Sequence, residues 1–342
     1  MLSAPCRKIK LSEQHPWIRE GELLLGSKNL DPVEIIHLSE WKKTASILVS
    51  EHGKENQYLV KFCSSESPEI IKGKFLNEVD FYQSYDGCCV PEMIDCGDQY
   101  LILRYVESVT LLKWLDHYLS GRDTDVPGTE FTRLLAQLGQ MLSGFYVNGD
   151  RECRTGAPAK SLAGRSNNLL GSGPHGTTRS NMELCISRYM RRASTRLLGW
   201  TMRQFEARLR YGNHNAWSPY IHMDLHGNNI IVDKDNGLYI IDFENTERGG
   251  IWFTDTAYLY AILMAGFYGF PAHQTCIDKQ FKELVRIKDP ELTGYWYQIA
   301  NLFTRAALTN SRFRRGDEKL MPGLFVQYAW ELVKFSLALL RR

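Results

Sequence analysis

The sequence contains few cysteines and no Cys-x-x-Cys pair. Eight cysteines among 342 residues are too sparse for a disulfide scaffold, and the missing Cys-x-x-Cys pair argues against a zinc ribbon. We therefore expect reduced thiols, as in a cytoplasmic protein. Cys88, Cys89 and Cys96 lie close together in sequence, and we expect them to pack rather than to bind metal.

Long apolar runs and an excess of one charge are also missing. The N-terminal stretch "MLSAPCRKIKLSEQ" lacks the apolar core of a signal peptide. Residues 256–277 carry no Asp, Glu, Lys or Arg, but Gly266, Gly269 and Pro271 interrupt them, which favours a buried core helix over a membrane span. The formal net charge of +2 gives no reason to expect nucleic acid or a membrane surface as a partner.

The spacing of apolar residues changes along the chain and predicts two lobes. In residues 32–106, the spacing of apolar residues predicts strands at "VEIIHLS", "ASILVS", "QYLVKFC" and "YLILRYVES", with one helix at "PEIIKGKFLNEVDFYQSY". Helical spacing then predominates to the end, apart from an irregular Gly-, Ser- and Arg-rich insertion at 151–181 and a polar stretch followed by a hairpin at 218–244. We predict an α+β fold with a small strand-rich N-terminal lobe, 1–106, and a larger helical C-terminal lobe, 107–342.

The stretch "SPYIHMDLHGNNIIV", residues 218–232, concentrates polar residues ahead of an apolar run and has three interpretations. In an extended chain His222, Asp224 and His226 would share one face and suit a divalent metal. A polar turn whose side chains only cap the backbone is the structural alternative. The third interpretation is phosphoryl transfer, because His222, Asp224 and Asn229 fit the pattern H-x-D-L-x-x-x-N, which supplies a proton acceptor and a metal ligand.

The residues that follow favour phosphoryl transfer. "NIIV" and "LYIIDFE" predict two strands joined by an Asn236-Gly237 turn, so a hairpin would bring Asn229 and Asp242 together. Oxygen ligands of this kind suit Mg²⁺ on nucleotide phosphates. Asp242 and Glu244 at the end of an apolar strand are otherwise unexplained.

A phosphotransferase also needs a cation on the nucleotide phosphates, held by an acid. Lys61 lies inside a predicted strand, where an ammonium requires a partner, and Glu78 on the following helix is the candidate. The segment "HLSEWKKTAS", 37–46, stands where a glycine-rich phosphate loop is expected but has no glycine. The literal GxGxxG match at 171–176 follows no predicted strand, so we discard it.

With "HMDLHGNNI", "IDFE" and "FTDTAYL", the chain resembles the aminoglycoside phosphotransferase and choline/ethanolamine kinase family, which has a two-lobed, protein-kinase-like fold. The resemblance implies that Asp224 is the catalytic base and that Asn229 and Asp242 hold magnesium. It implies roles for further residues: Lys61 and Glu78 on the phosphates, backbone groups of Arg104, Tyr105 and Val106 at the adenine edge, and structural support of the catalytic loop from His222 and Asp255. Glu244 is a candidate for a second metal or the acceptor.

We therefore predict an ATP- and Mg²⁺-dependent phosphotransferase acting on a hydroxyl of a small polar metabolite, a sugar or an amino alcohol. A kinase-like module that binds nucleotide without catalysis is the alternative. A metallophosphoesterase is the third hypothesis, since "DLHG" and "GNHN" resemble motifs of the calcineurin-like enzymes, although in reversed order. The sequence leaves the acceptor and the oligomeric state open.

Overall fold

The computed structural model of the chain describes residues 16–52, 56–120, 126–146, 217–314 and 321–340, with six single positions between 197 and 207. Two compact units make up the chain: Met1–Val109 with Ile231–Thr246, and Thr110–Ile230 with Glu247–Arg342. The predicted insertion at 151–181 and the GxGxxG match at 171–176 lie outside the described residues.

The described strands are, in chain order, β1 (Leu30–Ser39), β2 (Thr44–Glu51), β3 (Gln57–Cys63), β4 (Met93–Gly97), β5 (Tyr100–Arg104), β6 (Ser108–Thr110), β7 (Trp217–Ile221), β8 (Ile230–Asp233), β9 (Leu238–Ile240) and β10 (Glu247–Ile251). The described helices are α1 (Arg19–Ser27), α2 (Glu69–Ser84), α3 (Leu111–Ser120), α4 (Thr129–Phe145), α5 (Phe253–Gly266), α6 (Pro271–Lys288), α7 (Thr293–Arg314) and α8 (Met321–Leu340).

The first unit is built on an antiparallel five-stranded sheet in the order β1-β2-β3-β5-β4. Apolar residues alternate along β2 and β3, so one face of the sheet is apolar and packs around Trp17, Ile18 and Leu25 at the N-terminal helix. The connection from β3 to β5 contains α2, whose buried positions include Phe75, Glu78 and Phe81. A second sheet has the order β6-β8-β9, with the hydrogen bond from Asp233 N to Gly237 O closing the β8–β9 hairpin.

The second unit is mainly helical. Helices α4 to α7 enclose large buried aromatic rings, among them Trp296, Phe131 and Trp252. Strands β7 and β10 pair antiparallel and precede, respectively, the polar loop at 222–229 and helix α5. The predicted α+β arrangement, strand-rich at the N-terminal side and helical at the C-terminal side, is confirmed.

Three predicted elements are wrong in extent. The strand predicted at "YLILRYVES", 100–108, ends at Arg104, and the separate strand β6 begins at Ser108. The strand predicted at 238–244 ends at Ile240, because Asp242 has a left-handed backbone (φ 68°) and Phe243–Thr246 form a turn closed by Thr246 N to Phe243 O. Asp242 and Glu244 therefore do not share a strand face.

The charge-free run at 256–277 is two helices rather than one. Helix α5 ends at Gly266, Gly269 adopts φ 97°, and Pro271 begins α6, where a residue without an N–H group is tolerated. No helix within the described ranges is long and apolar enough to cross a membrane.

Candidate active site

Lys61 and Glu78 form a buried ion pair in the first unit. Lys61 lies in β3 between Val60 and Phe62, and its Nζ is 2.6 Å from Oε1 of Glu78 in α2. Their side chains are 20% and 4% exposed. Burial by itself lowers the pKa of Lys61, but the negative charges of Glu78 and Asp242 outweigh burial and raise it. Lys61 is therefore an ammonium at neutral pH.

Glu78 also connects the ion pair to the segment that carries Asp242. Its Oε1 accepts a hydrogen bond of 3.3 Å from the backbone N–H of Phe243, and the Phe243 ring stacks on Phe81 with centroids 3.8 Å apart. Burial raises the pKa of the Glu78 carboxyl. A carboxylate in this position needs both of these donors, because an unpaired buried charge is costly.

Asn77 holds the same segment one residue earlier on α2. Its Nδ2 donates to the carbonyl oxygens of Glu244 (3.2 Å) and Thr246 (2.8 Å). These contacts fix the chain around Asp242, whose positive φ costs about 1–2 kcal/mol in a residue with a Cβ. Strained backbone of this kind persists where surrounding contacts hold it and is frequent at functional sites.

Glu244 has a cationic partner in α2. Its Oε1 lies 2.9 Å from Nζ of Lys74, and both side chains are about one-third exposed (29% and 38%). Its role with a second metal or an acceptor stays a prediction.

The loop at 222–229 lies in the second unit, and hydrogen bonds to the Asp255 carboxylate fix its first two residues. The fully buried Asp255 carboxylate accepts hydrogen bonds from the backbone N–H groups of His222 (2.7 Å) and Met223 (3.2 Å) and from the hydroxyl of Tyr146 (2.7 Å). Met223 has φ 67°. Asp255, at the start of α5, thus stabilises a left-handed turn directly before Asp224.

Asp224 and Asn229 are connected within this loop. The Nδ2 of Asn229 donates to the carbonyl of Asp224 (3.0 Å), and the N–H of Asp224 donates to Nδ1 of His222 (3.2 Å). The Asp224 side chain is 39% exposed, whereas Asn229 is buried. Because the amide nitrogen of Asn229 is engaged, its oxygen is the atom suited to bind a metal.

Gly227 brings the loop against the first turn of α3. Its carbonyl accepts from the N–H of Leu112 (3.1 Å), and a Cβ built on Gly227 would lie 2.8 Å from Cγ of Leu112. Only glycine allows this approach without movement of Leu112.

The extended geometry required by a His-Asp-His metal cage is not found. Met223 turns the chain, His222 accepts from the Asp224 backbone, and His226 Nε2 lies 3.8 Å from Asp224 Oδ2. Within the part of the chain that the structure describes, no group of three or more His, Cys, Asp or Glu side chains is arranged to hold a metal.

The linker residues predicted at the adenine edge take part in hydrogen bonds within the first unit. The N–H of Arg104 donates to Glu92 O (2.8 Å) and that of Tyr105 to Gln57 O (3.2 Å). Arg104, Tyr105 and Val106 also line a cavity of about 410 Å³. Contact with adenine stays a prediction.

The glycine-free segment 37–46, where a phosphate loop is expected, contains a tight turn of four residues, 40–43, between β1 and β2. The carbonyl of Lys43, which has φ 54°, accepts from Ser64 N (3.0 Å) and Ser67 Oγ (2.9 Å). These bonds anchor one end of the turn.

Three residues of this arrangement were missed from the sequence: Lys74, Asn77 and Tyr146. Lys74 and Asn77 contact residues about 170 positions away, and Tyr146 contacts Asp255 from 109 positions away. The only signal for Lys74 and Asn77 was their place on the same helix as Glu78, and Tyr146 had none.

Comparison with known proteins gives fold neighbours only. No protein-family profile matches the chain, and no curated protein matches it by sequence. The chain is similar to an ethanolamine kinase from Plasmodium vivax (14% identity, 94% of this chain and 85% of that chain, TM-score 0.49). It is also similar to an aminoglycoside 2'-phosphotransferase (13%, 93% and 98%, TM-score 0.49) and to a choline kinase from Cryptosporidium parvum (12%, 91% and 99%, TM-score 0.45). Because these TM-scores are below 0.5, we base the proposed function on the residues of this chain.

Proposed function

We propose that the chain is an ATP- and Mg²⁺-dependent phosphotransferase that transfers the γ-phosphoryl group to a hydroxyl of a small polar metabolite. The observation that carries this proposal is the buried Lys61–Glu78 pair, whose carboxylate also binds the backbone beside Asp242. A buried charged lysine with an acid from a helix is what a nucleotide phosphate site requires.

Lys61 supplies the positive charge for the phosphates of ATP. Glu78 keeps this ammonium charged and fixes its direction through the 2.6 Å contact. The lysine is pre-organised in this way, so binding the nucleotide does not require it to be ordered first.

Asp242 and Asn229 are the proposed magnesium ligands. A carboxylate and an amide oxygen suit Mg²⁺, which prefers oxygen ligands. When bound, the ion would neutralise charge on the phosphate oxygens. The contacts of Asn77 and Glu78 hold the backbone of the Asp242 segment, and Asn229 is oriented by its own hydrogen bond to Asp224 O.

Asp224 is the proposed base for the acceptor hydroxyl. Its carboxylate is 39% exposed, and Asp255 fixes the two residues before it. The hydroxyl proton would pass to Asp224 as the hydroxyl oxygen bonds to the γ-phosphorus and the bond to the β-phosphate oxygen breaks.

The test compares Asp224→Asn with Asp98→Asn, a control at an exposed residue of the β4–β5 turn. A panel of sugars and amino alcohols is screened for ATP-dependent phosphorylation, and ATP affinity is measured by titration calorimetry. We expect Asp224→Asn to lose about 10²–10⁴-fold in kcat with nearly unchanged ATP affinity, and the control to behave as the unaltered protein. Joint loss of ATP binding and turnover would contradict the role of Asp224.

A nucleotide-binding module without catalysis is the second candidate. The observation that favours it is the short, anchored turn at 40–43, which has no glycine to let its backbone approach a phosphate. ATP binding without transfer to any acceptor would support this candidate.

A further inference from the structure

Two adjacent cysteines lie on the connection from α2 to β4 with their sulfur atoms in contact. The Sγ atoms of Cys88 and Cys89 are 3.2 Å apart; Cys88 is exposed and Cys89 is half-buried. A disulfide bond is about 2.0 Å long, so the sulfurs need to approach by only about 1.2 Å to bond.

The backbone around this pair is already strained and anchored on both sides. Cys89 has φ 73°, a left-handed conformation that costs about 1–2 kcal/mol in a residue with a Cβ. The carbonyl of Cys88 accepts from the hydroxyl of Tyr85 (3.0 Å), and the carbonyl of Cys89 accepts from the N–H of Ile240 in β9 (2.8 Å). These contacts hold the two sulfurs on the same side of the chain.

The two thiols differ in environment. Burial, together with the hydrogen bond and charge of Cys88, raises the pKa of Cys89 to about 12, so Cys89 keeps its proton at neutral pH. Cys88 is open to solvent. We therefore expect an oxidant to react with Cys88 first, and Cys89 to act as the second thiol.

We propose that Cys88 and Cys89 are a redox-modification site that a peroxide closes to a vicinal disulfide. The Cys88 thiolate attacks one peroxide oxygen, the O–O bond breaks, and Cys88 becomes a sulfenic acid; the hydroxide that leaves takes up the proton released by the Cys88 thiol and forms the first water. Cys89 sulfur then attacks the Cys88 sulfur and expels the hydroxyl, which leaves as water with the Cys89 proton. Two thiols and one hydrogen peroxide thus give one disulfide and two waters.

The bond formed in this way is readily reversed. Cα atoms of adjacent residues in a trans peptide are about 3.8 Å apart, below the usual range of about 4.4–6.8 Å across a disulfide. The ring is strained, and strained, exposed disulfides are reduced easily by thiols. Such reversibility is typical of a regulatory modification.

The Cys88–Cys89 site is connected to the segment before Asp242 by a backbone hydrogen bond. Closing the ring rotates the peptide between the two cysteines, which carries the Cys88 carbonyl that accepts from Tyr85. The backbone angles of Cys89 change with it, and its own carbonyl then loses its alignment with the N–H of Ile240, two residues before Asp242. The effect on catalysis rests on the proposed function, whereas formation of the bond does not.

The test is mass spectrometry of the full chain after exposure to hydrogen peroxide, alkylation of remaining thiols and cleavage before aspartates. Cleavage before Asp86 and Asp95 gives the peptide "DGCCVPEMI", which contains these two cysteines and separates them from Cys96. We expect this peptide to resist alkylation, to be lighter by two hydrogen atoms, and to return to the alkylated form after prior treatment with dithiothreitol. Cys96→Ser is the matched control and should give the same result.

Three outcomes would overturn the proposal: separate alkylation of both cysteines after oxidation, a cross-link between this peptide and that of Cys96, or oxidation of Cys88→Ser at Cys89 as fast as in the unaltered protein. Hydrogen exchange at Ile240 should be faster in the oxidised protein. These readouts do not depend on ATP, so the site can be established even if no phosphoryl transfer is found.

Discussion

Replacement of Asp255 by alanine should destabilise the second unit strongly. Asp255 is fully buried, and its carboxylate accepts from His222 N, Met223 N and Tyr146 Oη. Asp255→Ala would leave three donors without this acceptor, each at about 1–3 kcal/mol when buried. Removal of a buried charge and entry of water offset part of the loss, so we expect about 3–5 kcal/mol.

Denaturation by urea, followed by tryptophan fluorescence and circular dichroism, measures this change in the free energy of unfolding. Tyr146→Phe is the matched variant: it removes one donor, keeps Asp255, and should cost about 1–1.5 kcal/mol. Hydrogen exchange at the His222 and Met223 amides should accelerate in Asp255→Ala and change little in Tyr146→Phe. A cost below about 1 kcal/mol for Asp255→Ala, or equal costs for the two variants, would refute the reasoning.

Three further predictions concern the other contacts. Lys61→Met should remove ATP binding and cost about 3 kcal/mol, since the buried Glu78 carboxylate loses its cation and is left with the N–H of Phe243. The pKa of Lys61 is raised in the folded chain, so this difference in unfolding free energy becomes smaller as the pH rises through the folded pKa of Lys61; it also becomes smaller at acidic pH, where Glu78, whose pKa is raised, is protonated. Asn77→Ala should cost about 1–2 kcal/mol and raise the Mg²⁺ concentration needed for half-maximal turnover, and magnesium titration that matches the unaltered protein would contradict this. Gly227→Ala should cost about 1–3 kcal/mol through overlap with Leu112 and lower kcat, with denaturation and turnover as measurements; unchanged kcat would count against it.

Elements set by the spacing of apolar residues, and one buried ion pair, could be predicted from the sequence. Strand β3 matches "QYLVKFC", and α2 (Glu69–Ser84) matches the predicted helix to within a residue at each end, because apolar spacing determined both. The partner of Lys61 could be anticipated because an ammonium among apolar neighbours requires an acid, and Glu78 was the acid on the next helix.

Contacts between distant segments could not be predicted in this way. The Asn77 and Lys74 contacts depend on where α2 meets residues 242–246, and no periodicity records this. The left-handed backbone of Asp242 was missed because "LYIIDFE" has the apolar alternation of a strand, and alternation carries no information on φ.

The most direct test of the proposed phosphotransferase is phosphorus NMR of ATP incubated with the protein, Mg²⁺ and a mixture of sugars and amino alcohols. The account predicts that the resonances of ADP and of a new phosphate monoester grow together, and that neither grows with Asp224→Asn. Inorganic phosphate as the only new product, or an ATP spectrum that does not change, would contradict it.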